Sequence, residues 1–349
     1  MIRSKIAGIG MYVPENIITN NDLTKVMDTS DEWIQERTGI KERRFATRYK
    51  DTTTTMGVEA AKIAIGRAGT TAQEIDFIIF ATLSPDYYFP GCGVLVQRLL
   101  HMNEVAALDI RNQCSGFLYG LSVADQFIKT GMYKNILLIA SETHSYGLDF
   151  TNRGRNISVI FGDGAGAVVI QPTTKGNEGL LSTHLHSDGS EAERLSMMNP
   201  GFHAGHFVAE KKPPMPEKPY GGLFITQDMM AKEDIYPFMD GQAVFKKAVI
   251  KLPEVVREAL DKNNLKPADI DLLIPHQANL RINQFAQQKL GLRDEQVYNN
   301  IQKFGNTTAA SIPIALCEAW EDGIIKDGSL VCLAAFGSGF TWASALLRW

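Results

Sequence analysis

The sequence predicts a layered α/β/α/β/α sandwich built from two similar halves. The first observation behind this prediction is that helical patterns alternate with short apolar strand patterns along the 349 residues. Such alternation is typical of βαβ units and of sheets buried on both faces. The second observation is that the plan of residues 54–80 recurs in residues 245–274. Two such halves would pack back to back, with a site where they meet.

Each half contains a helix that leads into a buried strand. In the first half, apolar residues recur at helical spacing over residues 56–68, and an apolar strand pattern follows over residues 75–80. In the second half, the helical spacing covers residues 245–260 and the strand pattern covers residues 269–274. A period near 3.6 residues followed by a short apolar run predicts the same helix-to-strand unit in both places.

Each half also ends on a glycine-rich strand hairpin, at residues 161–170 and again at residues 336–347. We therefore divide the chain into an N-terminal half, residues 1–175, and a C-terminal half, residues 176–349. The second half carries an insertion at about residues 188–238, which is rich in proline and glycine and lacks clear periodicity. A segment of this kind is expected to be a lid near the substrate or an interface element, with an inert surface loop as the alternative.

Composition excludes several classes of protein. The apolar fraction of 44% and the charged fraction of 21% are those of a globular protein, and a net charge of −4 does not favour a nucleic-acid binder. The N-terminal residues lack the apolar run of a signal peptide, and no apolar stretch approaches the roughly 20 residues that span a bilayer. The cysteines are far apart without a CxxC pair, which favours a reducing compartment. We expect a cytoplasmic protein without membrane insertion.

Three reactive side chains each follow an apolar, strand-like run. Cys114 lies between the strand pattern 105–110 and a helix rich in small residues, His276 follows Pro275, and Asn306 follows Gly305. Because α/β sheets carry their sites at the carboxyl ends of strands, we expect these side chains to meet. A thiolate nucleophile requires such proton and oxyanion partners.

Each of these residues has a functional interpretation and a purely structural one. In the functional interpretation, a cysteine at a strand-to-helix turn is expected to have a lowered pKa and a free backbone N–H for an oxyanion. A packed core cysteine is the commoner case, and it fits Cys92, Cys317 and Cys332. Alone, His276 could be a structural histidine and Asn306 a turn residue.

The chain resembles the thiolase-fold β-ketoacyl-acyl-carrier-protein synthase III family over nearly its whole length. The likeness rests on residues 29–34, 37–40, 113–117, 161–166, 275–282, 305–311 and 340–342. It implies a thiolase-like fold and the decarboxylative Claisen condensation of an acyl-CoA primer with malonyl-acyl-carrier-protein, giving a 3-oxoacyl-thioester. The pathway would be fatty-acid initiation or a specialised lipid pathway. One alternative is an acyltransferase that moves the bound acyl group to an alcohol or amine, and another is a silent subunit of a heteromeric ketosynthase.

The resemblance also implies a role for each site residue. Cys114 would take the acyl group, while His276 and Asn306 would hydrogen-bond the malonyl thioester carbonyl as it becomes an enolate. The backbone N–H groups of Cys114 and Ser338 would form the oxyanion hole. The resemblance implies no metal and no tightly bound cofactor, with CoA and phosphopantetheine thioesters as substrates.

Substrate binding can be placed by the same likeness. Trp33 and Arg153 would sandwich the CoA adenine, with Arg37 near the phosphates; the segment is about two residues longer than usual, so Arg155 is the alternative to Arg153. Gly241 would lie beside the pantetheine tunnel.

Two partners are implied as well. The acidic carrier protein would bind a basic patch formed by Lys246, Arg281 and Lys289, with Lys247 and Lys251 as further candidates; a solvated helix face is the alternative. Phe89 would reach across a homodimer interface to close the acyl pocket.

Two further features bear on this interpretation. The histidines His184, His186, His203 and His206 could suggest a metal site, but no cysteine or carboxylate pair near them in the sequence completes a shell. The run 111–113 before the nucleophile and the long insertion depart from the family pattern, so the primer remains open.

Overall fold

The computed structural model describes residues 2–201, 225–232 and 235–349. Its strands are β1 (Arg3–Tyr12), β2 (Ile17–Thr19), β3 (Glu42–Arg44), β4 (Phe77–Ala81), β5 (Ala106–Ile110), β6 (Ile136–Glu142), β7 (Gly164–Thr173), β8 (Gly179–Ser187), β9 (Leu195–Ser196), β10 (Phe238–Met239), β11 (Leu272–Pro275), β12 (Leu330–Gly337) and β13 (Thr341–Arg348). Its helices are α1 (Asn20–Leu23), α2 (Asp31–Thr38), α3 (Thr53–Arg67), α4 (Cys92–Leu99), α5 (Gly116–Lys129), α6 (Arg155–Ser158), α7 (Gln227–Ala231), α8 (Gly241–Lys262), α9 (Leu280–Leu290), α10 (Ile301–Phe304) and α11 (Ser311–Glu321). Short 3₁₀ helices cover Ala72–Glu74, Gln113–Ser115, Gly189–Arg194, Pro267–Asp269, Asp294–Gln296 and Thr308–Ala310.

The first half forms a five-stranded sheet with the order β1-β7-β6-β4-β5. Strands β5, β4 and β6 run parallel, whereas β7 is antiparallel to both β6 and β1. Every residue of β4 and β6 is buried. This is the pattern expected of a parallel sheet covered by helices on both faces.

The second half repeats this arrangement. Its four-stranded sheet has the order β11-β12-β13-β8, with β11 parallel to β12 and both β13 and β8 antiparallel to their neighbours. Strands β8, β13, β12 and β11 thus take the places of β1, β7, β6 and β4. An isolated parallel bridge between Leu273 and Val297 stands where β5 would be. The division after residue 175 stays a proposal, and it falls between β7 and β8.

The two sheets pack on a shared layer of helices. Helices α5 and α11 lie between the sheets, where Leu121 and Ile314 join one apolar cluster with Leu138 of β6 and Leu333 of β12. Helix α3 covers the outer face of the first sheet, and α8 and α9 cover that of the second. The predicted five-layered sandwich is therefore confirmed.

Local signals set the ends of the helix that follows the His276 segment. Helix α9 begins after Asn279, whose side chain accepts the N–H of Arg281, and ends at Gly291 with φ of +67°. A short amide at the N-cap and a glycine in the left-handed region are the usual start and stop signals. In the part of the chain that the structure describes, no helix has the length and apolarity needed to cross a membrane.

Candidate active site

Cys114 lies at a sharp turn between β5 and α5. It is the middle residue of the 3₁₀ turn Gln113–Ser115, and Gln113 has φ of +41°. The side chain is buried, with 8% exposure. Gly337 at the end of β12 allows this close packing, because a β-carbon at Gly337 would lie 2.8 Å from the Cys114 sulfur. Cys114 of the first half is thus in direct contact with the second half.

The thiol of Cys114 is neutral in this environment. Burial and the nearby Glu142 carboxylate raise the pKa of Cys114 to about 12, although the backbone N–H groups of Ser338 and of Cys114 itself act in the opposite direction. The sequence-based prediction of a lowered pKa was therefore wrong. The N-terminus of a helix lowers the pKa of a nearby thiol, but the loss of water around the Cys114 sulfur outweighs that effect here.

The Ser338 N–H is held close to the thiol by its own loop. The hydroxyl of Ser338 donates to the carbonyl oxygen of Leu195, and Thr341 Oγ1 lies 3.2 Å from the Ser338 carbonyl oxygen and 3.0 Å from Ser115 Oγ. The structure thus places the two N–H groups predicted for the oxyanion hole beside one sulfur.

His276 continues the line of β11 into the site. Its backbone N–H donates to Ala334 at 2.7 Å, and its ring Nδ1 lies 2.6 Å from Ser311 Oγ. Because Ser311 Oγ also accepts the N–H of Gln277 at 3.3 Å, we assign the Ser311 proton to Nδ1 and a proton to Nε2.

The Nε2 atom of His276 is the donor left over. It is buried and has no hydrogen-bond partner within the described residues. Burial lowers the pKa of His276 to about 3, so the ring is neutral at neutral pH. A buried donor without an acceptor costs free energy, and a substrate oxygen would relieve that cost.

Asn306 is fixed on its backbone and on one side of its amide. Its N–H donates to Ile160 at 2.9 Å, and its carbonyl accepts from Gly162 at 3.1 Å. Its Oδ1 accepts the N–H of Thr308 at 2.8 Å. The Nδ2 group is therefore the part of the amide that is left to donate elsewhere.

The three segments surround the end of β12. Cys114 packs against Gly337 of that strand. The backbone N–H of His276 donates to the carbonyl oxygen of Ala334, three residues earlier in the same strand. A β-carbon at Gly116 would lie 3.5 Å from the β-carbon of Ala309, which lies three residues beyond Asn306. A buried cysteine, a neutral imidazole and an amide donor thus come together from both halves.

Comparison with known proteins identifies the family. Residues 108–189 match the family model of 3-oxoacyl-[acyl-carrier-protein (ACP)] synthase III, and residues 260–349 match the model of its C-terminal part. The chain is 44% identical over 351 aligned positions to a β-ketoacyl-[acyl-carrier-protein] synthase III from Rhodospirillum centenum, covering 100% of this chain and 99% of the relative. The chain belongs to the synthase III family.

Solved structures of synthase III relatives have the same fold. The 3-oxoacyl-[acyl-carrier-protein] synthase III of Aquifex aeolicus superposes with a TM-score of 0.86 at 43% identity, over 99% of this chain and 100% of that one. The priming β-ketosynthase of a polyketide biosynthetic pathway superposes with a TM-score of 0.85 at 29% identity, over 99% and 96%. This chain is therefore similar in structure both to a synthase III and to a priming ketosynthase.

Trp33 and Arg37, two of the residues expected to bind CoA, are in contact, whereas Arg153 lies elsewhere. The guanidinium carbon atoms of Arg37 and Arg155 lie 4.4 Å and 5.0 Å from the centre of the Trp33 ring. Arg153 instead pairs with Asp149 at 2.6 Å and lies over the ring of Tyr236. The structure thus brings Arg155, rather than Arg153, to Trp33, while Arg153 is held by Asp149.

Gly241 and the basic residues lie on the outer helices of the second half. Gly241 is the first residue of α8, which is capped by Asp240. Lys246 and Arg281 are exposed, and the Arg281 guanidinium is 5.6 Å from the ring of Phe245, the residue before Lys246. Lys289 is exposed about 12 Å further along α9.

The other lysines weighed for this patch are engaged with carboxylates. Lys247 pairs with Asp188 at 3.1 Å and with Glu191 at 3.7 Å, and Lys251 pairs with Glu254 at 2.8 Å. Phe89 is 82% exposed, next to the exposed Tyr87 and Tyr88.

Two histidines of the cluster share one carboxylate from a distant part of the chain. His184 and His186 both contact the carboxylate of Glu258, at 3.5 Å and 2.6 Å. Among the residues that the structure describes, no group of His, Cys, Asp and Glu side chains is arranged to hold a metal ion. His203 and His206 lie outside the described residues.

Two buried polar residues near the site, Glu142 and His144, were missed in the sequence. Thr308 and Ser311, which are also buried, were noted only as members of the segment 305–311. Glu142 ends β6 and accepts hydrogen bonds from Ser84 and Leu83, while burial raises its pKa to about 7. The available signal was that polar residues follow the apolar run of β6, just as His276 follows β11.

Proposed function

We propose that this chain condenses an acyl-CoA primer with malonyl-acyl-carrier-protein, releasing CO2 and giving a 3-oxoacyl-thioester. The observation that carries the proposal is that the end of β12 holds both a buried thiol flanked by two backbone N–H groups and a histidine whose buried Nε2 has no partner among the described residues. The proposal makes the chain a condensing enzyme that forms its carbon–carbon bond at Cys114.

In the first step, the Cys114 sulfur attacks the acyl carbonyl carbon and the bond to CoA sulfur breaks. The negative charge on the acyl oxygen is stabilised by the N–H groups of Cys114 and Ser338. The thiol proton leaves with the departing CoA thiolate, so the step is balanced. Because burial raises the pKa of Cys114 to about 12, the sulfur is a neutral thiol before the reaction and gives up its proton during the step.

In the second step, the malonyl group loses CO2 and the electron pair of the broken carbon–carbon bond forms an enolate. His276 Nε2 and Asn306 Nδ2 donate hydrogen bonds to the enolate oxygen, which carries more charge than the starting carbonyl. The enolate carbon then attacks the Cys114 thioester, and the Cys114 thiolate leaves and takes up a proton. A neutral His276 suits this role, because it stabilises the enolate without protonating it.

Substrate recognition follows from the placement of charges and rings. We infer that the CoA adenine enters between Trp33 and Arg155, where it would displace the guanidinium from the ring and stack in its place. The acidic carrier protein would bind Lys246 and Arg281 first, with Lys289 at the edge of the patch. The reaction needs neither a metal nor a tightly bound cofactor, and a cytoplasmic location remains our expectation.

We also propose that the active form is a homodimer. Strand β5 is the edge of the first sheet and pairs only with β4 among the described residues. An unpaired edge beside the exposed rings of Tyr87, Tyr88 and Phe89 is the kind of surface that proteins cover. Light scattering should give twice the chain mass, and Phe89→Ser should lower the fraction of dimer.

The experiment that tests the proposed function uses a panel of acyl-CoAs of different length and branching. Intact-protein mass spectrometry should show one acyl adduct per chain, and malonyl-acyl-carrier-protein should then convert it to a 3-oxoacyl product with one CO2 released. Transfer of the acyl group to an alcohol or amine, with no CO2 released, would contradict the proposal. The acyl-CoA that gives the fastest adduct identifies the primer.

A further inference from the structure

A second buried histidine lies beside the Asn306 turn, and the reaction described above does not use it. His144 follows β6 by two residues and is 8% exposed. Its Nε2 lies 2.7 Å from Thr308 Oγ1. Its ring packs against Phe161 with a centroid separation of 4.7 Å, and the backbone of Phe161 bridges that of Asn306. His144 thus contacts two residues that adjoin the amide donor.

Thr308 connects His144 with Asn306. The same residue donates its N–H to Asn306 Oδ1 at 2.8 Å and hydrogen-bonds His144 through its hydroxyl. Thr308 has φ of +49°, which is rare for a β-branched residue. Such a conformation persists only where the surroundings hold it. The bond to His144 is a contact that holds the Thr308 side chain in this conformation.

His144 is itself anchored in the first half. Its backbone N–H donates to Asp163 Oδ1 at 2.6 Å. Asp163 is fully buried and also accepts the N–H groups of Ala46 and Ser145, so it ties three parts of the chain together. Burial lowers the pKa of His144 to about 3, and a neutral ring fits a role in holding Thr308.

We propose that His144 is a positioning residue that acts through Thr308 to keep the Asn306 amide oriented for decarboxylation. This inference rests on the proposed function and adds a residue to it. Without the His144 contact, Thr308 would relax toward an ordinary φ and its N–H would turn away from Asn306 Oδ1. The amide of Asn306 could then rotate, and its Nδ2 would no longer point consistently at the enolate oxygen.

The two half-reactions separate this role from a general effect on folding. Decarboxylation depends on Asn306, whereas acylation depends on the N–H groups of Cys114 and Ser338. Loss of the His144 contact should therefore slow decarboxylation by roughly 10- to 100-fold, because small misplacements of a catalytic group have effects of this size. Acylation of Cys114 should fall far less.

The experiment compares His144→Leu, Thr308→Val and the double variant with the wild-type chain. Each protein is first acylated with the best acyl-CoA and then mixed with malonyl-acyl-carrier-protein in a single turnover. The rates of adduct formation, CO2 release and adduct decay are measured, and thermal unfolding checks the fold. His144→Gln and Thr308→Ser keep a hydrogen-bonding group, and His184→Leu removes a partly buried imidazole on the distant strand β8 as the matched control.

The proposal expects the rate of CO2 release to fall in both single variants. The rate of the double variant should be no lower than that of the slower single variant. Non-additivity of this kind shows that two residues act through one contact. The Gln and Ser variants should recover most of the rate, and His184→Leu should match the wild type. Equal losses in both half-reactions, an additive double variant, or no loss in His144→Leu would each overturn the proposal. A wild-type chain that acylates but releases no CO2 would instead contradict the proposed function.

Discussion

The nucleophile side and the donor side of the site are buried to a similar degree, but burial acts on them in opposite directions. It raises the pKa of the Cys114 thiol to about 12 and lowers the pKa of the His276 imidazole to about 3. An acid and a base thus both become neutral, because loss of water disfavours whichever form is charged. The comparison teaches that the site keeps both Cys114 and His276 uncharged, so that in the proposed reaction the negative charge develops on the substrate oxygen.

The two sides also differ in what holds them. Cys114 is positioned by close packing of backbone, where Gly337 leaves no room for a side chain. His276 and Asn306 are positioned by hydrogen bonds from Ser311 and Thr308. We therefore expect steric changes to damage the acylation step and polar changes to damage the decarboxylation step.

Removal of the nucleophile should have the largest effect. Cys114→Ala has no sulfur to accept the acyl group, so intact-protein mass spectrometry should detect no adduct with any acyl-CoA. Cys332→Ala is the control, because Cys332 is also buried but lies upstream in β12. An undiminished adduct in Cys114→Ala would show that Cys114 does not accept the acyl group, and the comparison of the two sides of the site would then fail.

Loss of one donor should affect the second step most. Asn306→Asp keeps the oxygen that accepts the Thr308 N–H but removes the Nδ2 donor, and His276→Ala removes the other donor. Each should slow CO2 release by about 10²- to 10³-fold, the usual effect of removing one such donor. Stopped-flow CO2 detection gives the rate. If acylation fell by the same factor, the division between the two sides would be wrong.

A methyl group at Gly337 should affect the first step most. Gly337→Ala places a β-carbon 2.4 Å from the Cys114 β-carbon, so Cys114 or the end of β12 must move. We expect acylation to slow by roughly 10- to 100-fold. Gly66→Ala is the control, because no atom lies within 4 Å of its added β-carbon. Normal acylation by Gly337→Ala would show that packing does not position the thiol.

The binding residues should give a smaller effect on KM. Arg155→Ala removes the guanidinium over Trp33 and should raise the KM for acyl-CoA by about 5- to 30-fold, which is the value of a partly desolvated cation–π contact. Arg153→Ala should change it much less, since Arg153 pairs with Asp149. If steady-state kinetics showed a larger increase in KM for Arg153→Ala than for Arg155→Ala, Arg153 would be the residue that binds the adenine.

The dependence of folding stability on pH should have opposite signs for His276 and for Glu142, the carboxyl group near Cys114. The pKa of His276 is lowered from 6.5 to about 3, so its contribution is present above pH 6.5 and is lost as pH falls toward 3. The pKa of Glu142 is raised from 4.5 to about 7, so its contribution is present below pH 4.5 and is lost as pH rises through 7.

Denaturant titration of two variants checks these signs. Glu142→Gln should gain stability relative to the wild type as pH rises from 4.5 to 7. His276→Gln should gain relative stability as pH falls below 6.5. Parallel stability curves for the variants and the wild type would contradict the assigned causes.

The sequence was sufficient for the architecture, and it singled out the three residues on which the proposed function rests. Repetition of the helix-to-strand unit predicted the two halves, and the ends of apolar runs predicted where Cys114, His276 and Asn306 would meet. These features depend on periodicity and strand direction, which are local properties of the chain.

Other features depend on contacts between distant segments and could not be read from the sequence. The sign of the Cys114 pKa shift depends on burial by Gly337 and on Glu142. The choice of Arg155 over Arg153 depends on how a longer segment folds. The contact between His144 and Thr308 joins residues 164 positions apart.

The most direct test of the account is a single turnover of pre-acylated Asn306→Asp protein. The enzyme is loaded with the primer, mixed with malonyl-acyl-carrier-protein, and followed by intact mass for the Cys114 adduct and by isotope-labelled CO2. The account predicts that the adduct forms at nearly the wild-type rate and then persists while CO2 release is slowed by about 10²-fold or more. Rapid loss of the adduct with normal CO2 release would contradict it.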